Sequence, residues 1–345
     1  MHVGSCRAIT GYQSIGTEGK TVKIGMIDNK TENKLYEYAN EKNIAVGIGS
    51  AERFEGLCDV LEKRYVPFVK WEAEERIDPL RSMDNAKSII CVGLSYNKEF
   101  VGVKDDKIRG VMSLSAVGED YHKTVGRYLR EMLEYAGIEG KVYVDTGALV
   151  DREVAIRCGI GNYGKNNSVV SPMLGAMFFI GYALTEERLE ETGKLNDKVC
   201  IGCGKCVKVC PTKALYEGGF KYDRCISYIT QKKGCLSEEE MNAVGKNIYG
   251  CDLCQKVCPL NALPENGSDI EKFFPDIEKL LYISNADFKE MYGSTAAGWR
   301  GKKILQRNAI AALGNMKEER AVRLAEKFIN DEREEISYAA RLVYR

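Results

Sequence analysis

The chain has 345 residues, 44% of them hydrophobic, with 50 basic residues against 50 acidic ones and 13 cysteines. That length allows two or three domains with ordinary cores. The cancelling charge excludes a protein that grips nucleic acid by its overall field, so any such contact must be a local patch. No apolar run is long enough to cross a bilayer, so a membrane is not an expected partner.

Residues 1–30 read as a glycine-rich extension with one short strand in TVKIGMI, and no role follows from them. They hold no apolar leader segment, so the expected setting is a reducing cytoplasm, where cysteines serve as thiols or metal ligands. From residue 31 a helical pattern (Leu35, Tyr36, Tyr38, Ala39) leads into the short apolar strand IAVGI. A second helix is expected around Phe54, Leu57, Val60 and Leu61, then a loop through WEAEERIDP. SIICVGLSY is a continuous apolar run of the kind buried on both faces of a sheet. In DYHKTVGRYLREMLEYAG, Val125, Tyr128, Leu129, Met132 and Leu133 form one helical stripe that Gly137 stops. KVYVDTGALVDREVAIRCGIG then gives a strand and a helix, and SPMLGAMFFIGYAL a further buried segment. Strands alternating with helices predict an α/β domain over residues 31–195.

The next segment, 196–265, carries the strongest chemical signal. Cys200, Cys203, Cys206 and Cys210 followed by Pro211 have the C-x2-C-x2-C-x3-C-P spacing of a two-cluster ferredoxin. Cys251, Cys254, Cys258 and Pro259 repeat the last three positions, with Ile248 where a fourth cysteine would stand. Cys225, between the runs, is the substitute, and eight thiolates suffice for two [4Fe–4S] clusters. Because the fourth cysteine of each run serves the other cluster, one set is Cys200, Cys203, Cys206 and Cys258. The other is Cys210, Cys225, Cys251 and Cys254. Disulfides would need an oxidising compartment. Zinc would use four of these thiolates and leave the paired Cys-Pro endings unexplained. Cys6, Cys58, Cys91, Cys158 and Cys235 are left as free thiols.

Residues 266–345 open on a proline-bearing linker and continue as helices. ILQRNAIAALGN places Ile304, Leu305, Ala309, Ile310 and Leu313 on one face, closed by Gly314. AVRLAEKFIN and ISYAARLVYR are two more amphipathic helices. Short stacked helices of this kind predict a HEAT-like α-solenoid tail. From residue 291 to 317 there is no acidic residue, while Arg300, Lys302, Lys303 and Arg307 gather within two turns, a patch suited to phosphates.

Taken together, these motifs resemble the epoxyqueuosine reductase family, whose members are cobalamin-dependent iron–sulfur enzymes that complete queuosine in tRNA. The resemblance rests on RSMDNAKSIICVGLSY, EDYHK, VDTGALVDRE with GIGNYGKNN, RCISYIT, IYGCDLCQKVCP and GSTAAGWRGKKILQRNAIAALGN, and spans residues 31–345. It implies cobalamin between the α/β and ferredoxin-like domains, electrons passing from an unidentified donor through two [4Fe–4S] clusters, and a tail that helps grip tRNA. It implies that Asp145 protonates the departing epoxide oxygen and that Arg152 lies near substrate or acid. Such chemistry needs a proton donor, and a carboxyl of raised pKa in an apolar site can serve. It also implies that Tyr121 and His122 line the cofactor pocket, beside a loop containing Gly161, Gly164, Lys165 and Asn166. Gly159, Gly161 and Gly164 spell G-x-G-x-x-G, but they follow a helix instead of opening one, so a nicotinamide site is not expected. Two other functions stay open at this stage: a related reductase of a small molecule, and a two-cluster electron carrier.

Overall fold

The computed structural model describes residues 30–63, 66–100, 105–267 and 270–345. The strand expected in TVKIGMI, and Cys6, lie outside the described residues. Helix α1 (Lys30–Glu41), strand β1 (Ala45–Ser50), strand β2 (Ser88–Ser95), helix α2 (Tyr121–Ala136), strand β3 (Lys141–Tyr143), helix α3 (Asp151–Arg157) and strand β4 (Phe178–Thr185) build the first layer. The sheet order is β1-β2-β4-β3, and every pairing is antiparallel, with Ile90 opposite both Ile48 and Ala183. Helix–strand alternation foretold a mixed α/β layer but did not give strand direction. That depends on crossovers through the intervening loops.

The apolar run of β2 is explained by its position, since both its faces are covered. Ile90 and Val92 pack with Leu35, Leu129 and Met132 from α1 and α2, whereas Ile89 and Cys91 pack with Val154 and Ala155 from α3. The Asp120 carboxylate caps α2 by accepting the His122 N–H, and Gly137 ends it at φ 72°. The second predicted helix is only Cys58–Glu62.

Two short two-stranded pairings, separate from this sheet, join distant parts of the chain. Val111–Met112 pairs parallel with Asn247–Tyr249, and Lys98–Glu99 pairs parallel with Glu265–Asn266, inside the stretch expected to be a linker. Ile108, Met112 and Ala116 therefore share one core with Val244, Ile248 and the C-terminal helices. Ile248, the non-cysteine of the second run, is fully buried in that core.

The C-terminal region is helical: Ile277–Tyr282, Asn285–Tyr292, α4 (Lys302–Met316), α5 (Glu319–Glu326) and α6 (Glu334–Tyr344). The expected single apolar face of α4 is replaced by burial all round, from Ile304 through Leu313. Gly314 does not close the helix; it lies within it, where an added Cβ would come 2.8 Å from Val343 Cγ2. Gln306, Arg307 and Asn308 are buried too. Arg307 donates to the carbonyls of Lys232 (2.9 Å), Gly234 (2.5 Å) and Ile229 (3.4 Å), and Asn308 to those of Thr230 and Ile248 (both 2.7 Å). Among the described residues no helix is long and apolar enough to cross a membrane.

Candidate active site

The eight cysteines fall into two groups that feel one another's charge. Burial raises the Cys206 and Cys258 thiols, and Cys200 and Cys203 add to the rise in both. Burial pushes Cys251 up to about 12, with Cys225 and Cys210 contributing; burial and Cys251 do the same to Cys254. The spacing's two sets stay an expectation for the ligands of the clusters. Cys254 also feels Cys206, so the groups meet there. Cys210 departs from the pattern. Burial opposes its ionisation, but N–H groups of Leu215, Ala214 and Thr212 and the Thr212 hydroxyl outweigh it and lower its pKa.

Protein alone therefore disfavours most of these thiolates, and iron would supply the compensating positive charge. Among the described residues no three His, Cys, Asp or Glu side chains converge on a single ion. A cubane, holding its four thiolates at the corners of a larger body, does not require that. Short helices Lys205–Val209 and Leu253–Lys256 carry Cys206 and Cys254 toward each other.

A small cleft runs along the first group, lined by Cys200, Cys203, Cys206 and Cys258 together with Gly164, Lys165 and Asn166. The glycine loop thus borders the cluster cysteines. It joins two strands of a hairpin, Asn162–Tyr163 and Val169–Val170. A Cβ on Gly161 would lie 2.3 Å from the Val170 carbonyl oxygen, and one on Gly164 2.6 Å from Val170 Cγ2. Hairpin packing accounts for both glycines without a macrocycle. Lys165 is paired with Glu217 at 2.6 Å, and buried Asn166 accepts the Ser168 N–H at 3.1 Å.

Asp145 follows β3 in a turn, with φ at 55°, a left-handed backbone rare outside glycine. Its side chain is 60% exposed, so the enclosed apolar site expected for it is not what surrounds it. Tyr121, at the start of α2, donates to its Oδ2 at 2.5 Å. Burial and then the Asp145 charge push the Tyr121 phenol well above its ordinary range, which keeps it a donor. The Tyr121 ring stacks on Phe179 (centroids 4.5 Å apart, planes 7° apart) and on His122 (4.1 Å, 28°). His122 Nδ1 meets Asp120 at 2.6 Å and its Nε2 stands 3.8 Å from Asp145. The structure brings Tyr121, His122 and Asp145 side by side.

Arg152 points elsewhere, donating to the Asn167 carbonyl at 2.6 Å with its guanidinium over the Tyr163 ring. The residue facing Asp145 is its neighbour, Asp151. Burial, and then the Asp145 charge, raise the Asp151 carboxyl to about 7. Its Oδ1 is buried without a partner, as is the Tyr182 hydroxyl. Sequence reading passed over Asp151, although the signal lay in the motif VDTGALVDRE, whose second acid opens a helix. The bland reading of such an acid is an N-terminal helix charge.

The expected phosphate patch does not assemble. Arg307 is fully buried, and burial brings its pKa down to about 10. Lys303 is paired with Glu335 at 2.6 Å, and Lys302 donates to the Ile283 carbonyl at 3.3 Å. Arg300 lies over the rings of Trp299 (4.1 Å) and Phe68 (4.7 Å), both exposed. Trp299 Nε1 donates to Tyr249 at 2.8 Å, and Tyr249 feels the Asp145 charge.

Comparison with known proteins agrees with this arrangement. The family model described as "Epoxyqueuosine reductase QueG, DUF1730" matches residues 76–146, and the model described as "4Fe-4S double cluster binding domain" matches residues 199–261. The chain is 39% identical over 297 residues to the epoxyqueuosine reductase of Bacillus cereus, covering 80% of this chain and 78% of that protein. Its fold matches a crystal structure of epoxyqueuosine reductase with an epoxyqueuosine-modified tRNA-Tyr stem loop (TM-score 0.84, 33% identity, 91% of this chain and 89% of that one). It also matches the Bacillus subtilis enzyme, solved with its aspartate catalytic loop swung out of the active site (TM-score 0.81, 34% identity, 90% and 88%). The cysteine constellation, the Tyr121–Asp145 pair and this similarity over 80% of the chain in sequence and 91% in fold lead to one conclusion: the chain belongs to the epoxyqueuosine reductase family.

Proposed function

We propose that this chain reduces epoxyqueuosine to queuosine in tRNA, with Asp145 as proton donor. The single observation that carries the reading is the short Tyr121–Asp145 hydrogen bond, beside His122, in a chain of this family. The reaction removes the epoxide oxygen as water, so each turnover takes two electrons and two protons and leaves a carbon–carbon double bond. Cobalamin, when bound, would supply the low-potential reducing chemistry for the epoxide, drawing electrons from the clusters. On the protein side, the flat stack of Phe179, Tyr121 and His122 offers a wall for a planar macrocycle, with Tyr121 and His122 as its contacts. Lys165 and Asn166 are read instead as lining the first cluster.

The chain's own part in the chemistry is proton handling. Asp145 is exposed enough to meet a substrate, and among the described residues only Tyr121 hydrogen-bonds its carboxylate, at one oxygen. Tyr121 fixes the direction of the carboxyl, and His122 is close enough to respond to its charge. Asp120 in turn sets the His122 ring.

The ligand sets are Cys200, Cys203, Cys206 and Cys258 for one cluster and Cys210, Cys225, Cys251 and Cys254 for the other. Division into an extension (1–30), a catalytic layer (31–195), a cluster module (196–265) and a HEAT-like tail (266–345) is our working scheme. Arg300 and Lys302 remain candidates for phosphate contact; Arg307 is withdrawn and Lys303 is already neutralised. The test is direct. Protein with both clusters, cobalamin, a strong reductant and tRNA bearing epoxyqueuosine should yield queuosine by mass spectrometry of the digested RNA. No conversion by fully loaded protein would overturn the reading.

A further inference from the structure

The first group of cysteines reaches the surface, and what surrounds it there has no assigned role. Of the eight cysteines Cys203 alone is exposed, while the other seven are half-buried. Beside it Ile201 leaves 64% of its surface in water, although isoleucine is among the residues most often covered. Both line the cleft along this group, together with Lys205. From Lys198 to Tyr216 there are four lysines, Lys198, Lys205, Lys208 and Lys213, and no acidic residue. All four are exposed, and among the described residues none is in an ion pair. Lys205 and Lys208 are three residues apart in the helix Lys205–Val209, so they share one side of it.

The second group is tied instead to the catalytic stack. Next to Cys254, Gln255 Nε2 donates to the Tyr96 hydroxyl at 2.8 Å. The Tyr96 ring lies 4.5 Å from Phe179, and Phe179 stacks on Tyr121, the partner of Asp145.

We propose that the face around Ile201, Cys203, Lys205 and Lys208 docks an acidic one-electron carrier protein, and that electrons enter the chain there, at the first cluster. This rests on Cys200, Cys203, Cys206 and Cys258 as that cluster's ligands. At each encounter the carrier is oxidised by one electron and the first cluster is reduced by one. Two encounters supply the two electrons of a turnover, and no covalent bond forms or breaks in this step.

The chemistry of the face selects this partner. Electron transfer needs the carrier's cofactor close to a cluster, and an exposed ligand marks where another protein can come nearest. Opposite charges across an interface steer such encounters, which use small patches. The chain as a whole is neutral, with 50 basic and 50 acidic residues, so an acidic protein is drawn by this patch and not by the overall field. An uncovered isoleucine among the lysines offers a protein interface its apolar core, whereas RNA phosphate gains nothing from it.

Stopped-flow reduction of the full chain, with both clusters loaded and without cobalamin or tRNA, tests this apart from turnover. The probe is a reduced plant-type ferredoxin, an acidic protein, and methyl viologen is the control reductant. The second-order rate with ferredoxin should fall at least about tenfold between about 0.01 M and about 0.15 M salt. Lys205→Glu with Lys208→Glu should lower it at least about tenfold at low salt, with iron content unchanged and the methyl viologen rate not lowered. A ferredoxin rate indifferent to salt, a double reversal that leaves it unchanged, or no reduction by ferredoxin where methyl viologen reduces the clusters would each overturn the proposal. So would a double reversal that weakens tRNA binding, or splits a dimer of this chain, while the ferredoxin rate stays as in the parent. If the double variant does not load iron, the parent's salt series decides. Failure of the ligand assignment would be seen differently, as a full iron complement in Cys203→Ala.

Discussion

Asp145 and Tyr121 form a pair in which each partner needs the other: the phenol is kept protonated by burial and by the carboxylate it serves. Asp145→Asn keeps the hydrogen-bond shape but cannot release a proton, so turnover should fall about a hundred- to ten-thousand-fold with cluster content unchanged. Single-turnover assays on tRNA measure this. Asp151 makes a separate prediction about stability. Its folded carboxyl titrates at about 7, against an ordinary value of about 3.9 in the unfolded chain. Between those values the folded state binds the extra proton, so native stability is lost as pH rises from about 4 to about 7. Asp151→Asn should therefore raise the free energy of urea unfolding at pH 8, by at most about 4 kcal/mol, and leave it unchanged near pH 4.

At the scale of the element, α4 is the informative one. Its first turn reads as a basic surface, yet Arg307 is a structural strut that satisfies three carbonyls of the segment around residues 229–234. Arg307→Ala strands those buried acceptors and should cost about 2–4 kcal/mol in chemical denaturation. Of the cations on this helix only Lys302 is partly exposed and free of an acidic partner among the described ion pairs. If it touches tRNA phosphate, Lys302→Ala should reduce the slope of log affinity against log salt by about 0.7–0.9. Lys303→Ala should change it little, because Glu335 already neutralises that charge. Filter binding across a salt series separates the two.

For the whole molecule, the cluster cysteines sit where the sheet, the hairpin loop and the helical region meet. Cys254 feels the charge of Cys251, Cys225, Cys206 and Cys210, so cysteines of both groups lie near it. Cys225 stands outside both runs, yet burial and Cys210 raise its thiol as a member of the second group. Cys225→Ala should lower iron from about eight to about four atoms per chain, with the first cluster retained. A full iron complement in that variant, measured by metal analysis of anaerobically purified protein, would reject the ligand assignment.

Local spacing determined much of this protein. Cluster cysteines sit a few residues apart because one cubane must reach several of them, so their pattern survives in one dimension. Strands β1, β2 and β4 were legible as apolar runs, since burial leaves no polar alternation, whereas edge strand β3 is only half-buried. Tyr121 and Asp145 were singled out through their motifs, and the structure sets them in one hydrogen bond. What only the tertiary structure decided concerns residues whose partners are remote in sequence. Arg307 looks like a surface cation until segments some 75 residues away close over it. Asp151 looks like an ordinary helix-opening acid until the sheet residue Tyr182 and the Asp145 turn enclose it. Charge and hydrogen-bonding capacity are properties of the residue, but whether water can reach them is set by the fold, and that fixes what each residue can do.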